Sequence, residues 1–172
     1  MVLLFRFLFA MLRSRFRSRL GPLDESVTHF TALPTDCDLN FHLNAGRYVS
    51  FMDVARLELF GRLRVVVPML RRGWRPVLGG ALLRYRRSVL PFERFAIRSR
   101  ITGWDEKWFY VEHVVVKGAN TFCAVGQTRT LIRGAEGNLP PSEILVLMKH
   151  AGAQSPPLPD AIVKWRELED VR

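Results

Sequence analysis

Four long strand-like runs follow a single amphipathic helix, and this order constrains the fold more than any other feature of the 172-residue chain. The runs cover residues 77–90, 95–104, 108–117 and 121–133. Because short turns link consecutive runs, hairpin pairing predicts a mostly antiparallel sheet. A shorter run at residues 27–33 predicts one more strand ahead of the helix.

The helix is predicted from about residue 44 to residue 63. The apolar residues that recur with the helical period of 3.6 are Tyr48, Phe51, Met52, Ala55 and Leu59. Asn44 is suited to cap its start, and Pro68 prevents its continuation much beyond residue 63. One helix and one sheet must cover each other's apolar faces. The sequence therefore predicts an α+β fold, and a curved antiparallel sheet around one central helix is its natural form.

Length and composition predict one folded domain with two distinct ends. Residues 1–20 form an apolar and basic N-terminal segment, residues 21–150 the main domain, and residues 151–172 a Pro-rich, charged tail. A short helix is expected near 142–149. The two cysteines and four histidines lack metal-ligand spacing, so the sequence predicts neither a metal site nor a cofactor.

The formal net charge of +10 comes largely from arginine. It is concentrated in residues 1–20, which contain no acidic residue, and in residues 62–100, where Glu93 is the only one. A solvated face, a phosphate-bearing ligand and an anionic membrane are all consistent with this charge. A nucleic-acid partner is not expected, because no nucleic-acid-binding signature accompanies the charge.

The first twelve residues are apolar except for Arg6. This run is too short for a standard membrane-spanning helix, and its basic residues follow rather than precede it, which fits a signal peptide poorly. On a helical wheel, Arg6, Arg13 and Arg17 share one face. Two main interpretations stand: an interfacial anchor with arginine on lipid phosphates, or a terminal helix packed on its own domain or on a second subunit. A signal-anchor helix is a third. The expected location is cytoplasmic, with a peripheral membrane position left open.

The most informative stretch is the loop that leads into the central helix. Its polar side chains are Asp36, Asp38, Asn40, His42 and Asn44. A helix N-terminus stabilises negative charge, so backbone N–H groups near Ala45 and Gly46 could bind an oxyanion there. A neighbouring carboxylate could attack a carbonyl or activate water. The competing interpretation is a capped helix preceded by ordinary Asp and Asn turns.

This stretch matches the pattern Asp-x-Asp-x-x-x-His-x-Asn-x-x-x-Tyr followed by Ala-Arg. The matching residues are Asp36, Asp38, His42, Asn44, Tyr48, Ala55 and Arg56. The pattern resembles that of hotdog-fold acyl thioesterases, and residues 30–134 are most similar to the thioesterase superfamily member 6-like group. The resemblance implies the hotdog fold, in which the sheet wraps around the central helix.

The resemblance also implies roles for individual residues. Asp38 would be the catalytic carboxylate, with Asn40 and His42 in the same network. The substrate-binding positions would be Asn44, Ala45, Gly46 and Tyr48. Substrates would be acyl thioesters of coenzyme A or acyl carrier protein. The protein would be a homodimer or higher oligomer with an acyl tunnel beside the helix.

Three positions depart from the patterns of these enzymes. Ala45 replaces the second of two common asparagines, Phe41 replaces a frequent glycine, and Ser88 stands where plant acyl-carrier-protein thioesterases have a glutamate. Three hypotheses follow. The chain is an acyl thioesterase, a non-catalytic acyl- or lipid-binding hotdog protein at a membrane surface, or a basic nucleic-acid-binding domain.

Overall fold

The computed structural model describes residues 2–170, and side chains from residue 4 to residue 168. The helices are α1 Val2–Phe16, α2 Ala45–Arg62, α3 Val66–Arg71, α4 Pro141–Met148 and α5 Asp160–Asp170. The strands are β1 Ser26–Thr31, β2 Arg75–Tyr85, β3 Arg94–Trp104, β4 Phe109–Lys117, β5 Thr121–Gly134 and β6 Gly137–Leu139. A 3₁₀ turn covers Pro34–Asp36.

The strands form one antiparallel sheet in the order β1-β3-β4-β5-β2, with β6 paired to the end of β5. The predicted antiparallel sheet with one helix against it is confirmed. Strand β5 approaches α2 closely at Gly126, where an added Cβ would lie 2.6 Å from the sulfur of Met52. A side chain at position 126 would therefore force the Met52 side chain to move.

The core lies between α2 and the concave face of the sheet. Its first half, around the start of α2, consists of Ala32, Leu43, Tyr48, Phe51, Met52, Ala55, Val89, Phe95, Ile97, Val115, Cys123 and Ala124. The second half, around the end of α2, includes α3 and α4. Burying large apolar side chains contributes about 1.5–3 kcal/mol each, so these two clusters fix α2 on the sheet.

Several elements differ from the prediction. Helix α3 contains Pro68, which lies in the first turn, where a missing N–H costs no hydrogen bond. The first long strand ends at Tyr85 rather than near residue 90. Strand β6 is additional, and the tail forms an eleven-residue helix whose Ile162 is fully buried.

Helix α1 packs on α2, with Ala10 and Ser14 buried at the contact. Gly61 of α2 makes this close approach possible, because an added Cβ would lie 2.3 Å from the Ser14 hydroxyl oxygen. Arg64 donates to the carbonyls of Ser14, Arg15 and Arg17, and so caps the C-terminal end of α1. The interpretation that this helix packs on its own domain is confirmed.

The arginine face of α1 points inward. Arg6 pairs with Asp36, while Arg13 and Arg17 both pair with the buried carboxylate of Glu58. The expectation that these three arginines contact lipid phosphates is therefore wrong. The opposite face is apolar and exposed, and it consists of Leu4, Phe5, Leu8, Phe9, Leu12 and Phe16. None of the helices between residues 2 and 170 combines the length and the apolar character that crossing a membrane needs.

Candidate active site

The polar loop folds back on itself between β1 and α2. The Asn44 N–H donates to the carbonyl of Asp36 at 3.0 Å, and the Asp38 N–H donates to the carbonyl of His42 at 3.0 Å. Phe41 takes a left-handed conformation with φ of 56° at the tip. This explains the glycine that is frequent at this position in similar enzymes, because glycine adopts positive φ without strain.

The fold-back brings Asp38 and His42 together. The His42 Nδ1 lies 3.6 Å from the Asp38 Oδ1, and both side chains are partly exposed. The same Asp38 oxygen accepts a hydrogen bond from the Asn40 N–H at 2.9 Å. Asn40 thus contacts the carboxylate through its backbone, in an Asx turn, while its side chain faces outward.

Asn44 caps α2 as predicted, with its side-chain oxygen accepting from the Gly46 N–H at 2.9 Å. This N–H is therefore already engaged, and an oxyanion that uses it would have to displace the Asn44 side chain. The Tyr85 hydroxyl donates to the Ala45 carbonyl at 3.0 Å, and the Tyr85 ring lies 5.1 Å from that of Tyr48. Burial raises the pKa of Tyr48 to about 12, so its hydroxyl stays protonated.

A cavity of about 250 Å³ opens at this point, between the loop, the start of α2 and the end of β2. Its lining residues are Asp38, His42, Leu43, Ala45, Tyr48, Tyr85, Arg86, Arg87 and Ser88. The structure thus brings Asp38, His42, Ala45 and Tyr48 to one cavity. Asn40, Asn44 and Gly46 lie beside it rather than in its wall.

The four residues that β2 and its end contribute were not predicted as site residues. In the sequence, these residues could have been found from the run Tyr85 to Ser88. This run resembles a strand motif of plant acyl-carrier-protein thioesterases, but it lacks the glutamate of that motif. The Arg86 and Arg87 N–H groups both donate to the Cys123 carbonyl, which holds this segment on β5. Their side chains are exposed at the cavity.

Three other arginines of residues 62–100 contact partners within the chain. Arg62 is buried and donates to Ser18 and Ser26, Arg98 pairs with Glu25, and Arg100 pairs with Glu112. The buried contacts of Arg62 stabilise the fold, whereas the ion pairs of Arg98 and Arg100 are exposed and contribute little. The described residues contain no group of three or more His, Cys, Asp and Glu side chains that could hold a metal ion.

Asp36, the first aspartate of the motif, is buried, and its side chain is only 3% exposed. Burial alone would raise the pKa of this carboxyl. Hydrogen bonds from Arg6 and from the Leu33 N–H, together with the charges of Arg6 and Arg47, lower it below its ordinary value. Asp36 is therefore ionised and does not face the cavity that Asp38 lines.

The family model described as the thioesterase-like superfamily matches residues 32–166, which include the loop, the cavity and the whole sheet except β1. The chain belongs to the thioesterase-like superfamily. Helix α1 lies outside the matched region.

Curated relatives support this membership in the thioesterase-like superfamily. The chain is 35% identical to Protein THEM6 of Xenopus laevis over 80% of its own length and 65% of that protein. It is 34% identical to Protein THEM6 of Danio rerio over 78% and 68%. A probable thioesterase of Saccharomyces cerevisiae is 25% identical over 66% of this chain and 50% of that protein. The chain thus spans from half to about two thirds of these relatives.

Solved structures confirm the hotdog fold class. A DHNA-CoA thioesterase from Staphylococcus aureus superposes with a TM-score of 0.66 at 14% identity, covering 85% of this chain and 93% of that one. The probable thioesterase YbaW from Escherichia coli gives 0.66 at 16% identity, covering 74% and 98%. At these identities the likeness establishes the fold alone.

Proposed function

We propose that this chain hydrolyses acyl thioesters of coenzyme A or acyl carrier protein. The observation that carries the proposal is the Asp38 carboxylate, held beside His42 in a cavity at the N-terminus of α2. Membership in the thioesterase-like superfamily supports the reaction class. The helix N-terminus favours the negative charge that develops on a thioester carbonyl under attack.

In the proposed mechanism, the thioester carbonyl lies in the cavity with its carbon facing Asp38. Asp38 takes a proton from water, and the resulting hydroxide adds to the carbonyl carbon. The tetrahedral intermediate then expels the thiolate, which takes up the proton, and a carboxylic acid is released. His42 would orient the water or the carboxylate. In the alternative route, Asp38 attacks the carbonyl itself, and water hydrolyses the resulting anhydride.

Arg86 and Arg87 are the arginines best placed to meet the substrate's phosphates. Both are exposed at the cavity and make no side-chain ion pair within the described part of the chain. Guanidinium groups suit bidentate phosphate contacts. Coenzyme A and the prosthetic arm of acyl carrier protein both carry phosphate, so this feature supports either substrate.

We propose that the acyl chain extends along α2, from the cavity beside Asp38 toward a second cavity. Strand β2 runs beside α2, with Tyr85 at the start of the helix, and Leu78 lines the second cavity with Leu57 and Phe60 near the helix end. This second cavity measures about 360 Å³. Its lining residues are Phe7, Met11, Asp53, Arg56, Leu57, Phe60, Val66, Met69, Leu70, Trp74, Pro76, Leu78 and Thr130. Its largely apolar wall supports an aliphatic acyl group.

A homodimer is proposed as the working form. Strand β2 is an edge strand of eleven residues whose other side has no partner in the described chain, and Leu82 and Tyr85 on it are each 47% exposed. Long exposed edge strands pair readily with another chain. Pairing of β2 with its copy would give this exposed edge a partner strand.

A membrane surface is the second proposed partner. The apolar face of α1 exposes six large side chains, among them Phe5 at 68% and Phe16 at 84%. Contiguous exposed apolar faces mark interaction sites, and a helix of this kind can lie in the headgroup region of a bilayer. Since Arg6, Arg13 and Arg17 are engaged inside the protein, the apolar face itself would supply most of the binding energy.

The test of the hydrolase is turnover of an acyl-CoA series, from short to long chains and including aryl thioesters, with detection of the free thiol. Asp38→Asn is expected to lower kcat by about 10²- to 10⁴-fold, because it removes the base. Asp24→Asn, an exposed aspartate outside the site, is the control. Full turnover by Asp38→Asn would contradict the role of Asp38. No turnover by the wild type would favour the acyl- or lipid-binding alternative.

A single turnover in H₂¹⁸O can identify direct attack by Asp38. Direct attack leaves one ¹⁸O atom in the Asp38 carboxylate when water opens the anhydride at the aspartyl carbon. Activation of water by Asp38, or opening of the anhydride at the acyl carbon, leaves the side chain unlabelled. Label in the peptide that contains Asp38, detected by mass spectrometry, would therefore establish direct attack.

A further inference from the structure

One side chain of α1 reaches the catalytic loop, although α1 lies outside the region that the family model matches. The Arg6 guanidinium donates to both carboxylate oxygens of Asp36, at 3.0 Å and 2.7 Å. The Asp36 side chain is 3% exposed and that of Arg6 is 18% exposed. The pair is bidentate and nearly buried, the geometry in which such contacts are strongest.

Asp36 accepts hydrogen bonds from the start of the loop and from the residue that caps α2. Its carboxylate also accepts from the Leu33 N–H at 3.0 Å, at the entrance of the loop. Its carbonyl accepts from the N–H of Asn44, the residue that caps α2. Asp38 follows two residues later, inside the turn that these bonds close. The position of the Asp38 carboxylate therefore depends on how firmly Asp36 is held.

Arg6 is not required to hold α1 on the protein, because other contacts do so. Arg13 and Arg17 pair with Glu58, Ser14 packs on Gly61, and Arg64 caps the helix end. These contacts lie around the end of α2, away from the loop. Arg6 is the α1 side chain that bonds to the loop, and its guanidinium also lies 4.5 Å from the centroid of the Phe51 ring.

We infer that Arg6 is a positioning residue of the active site, which acts through Asp36 to fix the loop that carries Asp38 and His42. The inference rests on the proposed function for its effect on catalysis. Without Arg6, the Asp36 carboxylate would remain buried without its main partner, a costly arrangement. The loop would then shift to bring this carboxylate to water, and the Asp38 carboxylate would move with it.

The test that needs no substrate is hydrogen exchange of the backbone amides, followed by mass spectrometry. Arg6→Gln is expected to speed exchange at least about tenfold in the peptide that covers residues 36–44, where the Asp38 and Asn44 amides are now hydrogen-bonded. Arg13→Gln is the matched control, because it removes an ion pair of the same helix that does not touch the loop. Equal exchange in the two variants, or no change in Arg6→Gln, would overturn the inference.

Steady-state kinetics then separates positioning from simple destabilisation. Arg6→Gln is expected to lower kcat about 10- to 100-fold, as a misplaced reacting group does, with a change in KM of less than about twofold. Arg6→Lys is expected to restore part of kcat. A loss confined to KM, or an equal loss in Arg13→Gln, would contradict the positioning role. Failure of the wild type to hydrolyse any thioester would contradict the proposed function but would not affect the conclusion from hydrogen exchange.

The double variant Arg6→Gln/Asp36→Asn provides a check if Arg6→Gln folds poorly. It removes both charges, so no buried carboxylate is left without a partner. We expect it to be better folded than Arg6→Gln and to keep fast exchange in residues 36–44, because the bidentate contact is absent. Exchange at the wild-type rate in this variant would also overturn the inference.

Discussion

At the scale of single residues, the loop between β1 and α2 shows which contacts the sequence motif predicts and which it does not. The resemblance to hotdog thioesterases implied that Asp38 and His42 act together, and the structure brings their side chains to within 3.6 Å. The sequence predicted Asn44 as the cap of α2 but could not decide whether the Gly46 N–H serves this cap or an oxyanion, since both use the same groups. Nor could it reveal Arg6, whose partner Asp36 lies thirty positions further along the chain.

We expect the titration of His113 to make the free energy of unfolding depend on pH. This residue is fully buried, with Nδ1 lying 2.8 Å from the Ser99 hydroxyl and Nε2 lying 3.2 Å from the Thr128 hydroxyl. Burial, with a smaller effect from the charge of Arg56, holds its pKa well below the ordinary value of 6.5. In the folded protein the imidazole is therefore neutral at physiological pH.

This predicts a loss of stability in mild acid. Below about pH 6.5 the unfolded chain binds a proton at His113 that the folded chain does not, so the free energy of unfolding falls as pH falls. Between pH 7.5 and 5.5 the contribution is about 1.4 kcal/mol. Urea unfolding across this range should show a shallower pH dependence for His113→Gln than for the wild type. Parallel curves would contradict the prediction.

At the scale of elements, hydrophobic periodicity predicted α2 and the strands β3, β4 and β5, because each buries an apolar face. Strand β2 was also predicted, although most of its residues are exposed. Helix α3 and strand β6 were missed, since six and three residues are too few to show a period. For α1, the wheel grouped Arg6, Arg13 and Arg17 correctly but could not tell which way they point. Their direction is set by Asp36 and Glu58, which only the tertiary structure brings near.

The contact between α1 and α2 yields a second prediction. In Gly61→Ala the new methyl group would lie 2.7 Å from the Ser14 Cβ, so α1 must move away. We expect trypsin to cleave within residues 13–19 about tenfold faster, equivalent to 1.4 kcal/mol of docking free energy. The double variant Gly61→Ala/Ser14→Gly should recover protection. Unchanged cleavage in Gly61→Ala would show that α1 tolerates the contact.

At the scale of the whole molecule, edge pairing predicts the oligomeric state. Sedimentation should give a dimer for the wild type and a shift toward monomer for Leu82→Lys, because a charged edge strand resists pairing. Leu23→Lys is the control, since Leu23 is 48% exposed and precedes β1, which lies at the opposite edge of the sheet. A dimer of undiminished stability in Leu82→Lys would exclude β2 as the interface.

The apolar face of α1 predicts binding to vesicles that contain anionic lipid. The variant Phe5→Glu/Leu8→Glu should bind at least about 100-fold more weakly, since each buried apolar side chain contributes about 1.5–3 kcal/mol. Leu168→Glu is the control, because it changes a leucine that is 73% exposed on α5 rather than on α1. Equal sedimentation of all three proteins with the vesicles would show that the apolar face of α1 does not mediate membrane binding.

The Arg64 cap on α1 has a consequence for how the chain is made. Helix α1 is synthesised before α2, and its cap and its carboxylate partner Glu58 are added about fifty residues later. At ordinary translation rates that delay is on the order of 3–10 s. A fifteen-residue helix is marginal in water on its own, so we expect the nascent segment to spend this time largely unfolded. Any factor that binds this segment in its unfolded form must therefore act before α2 is complete.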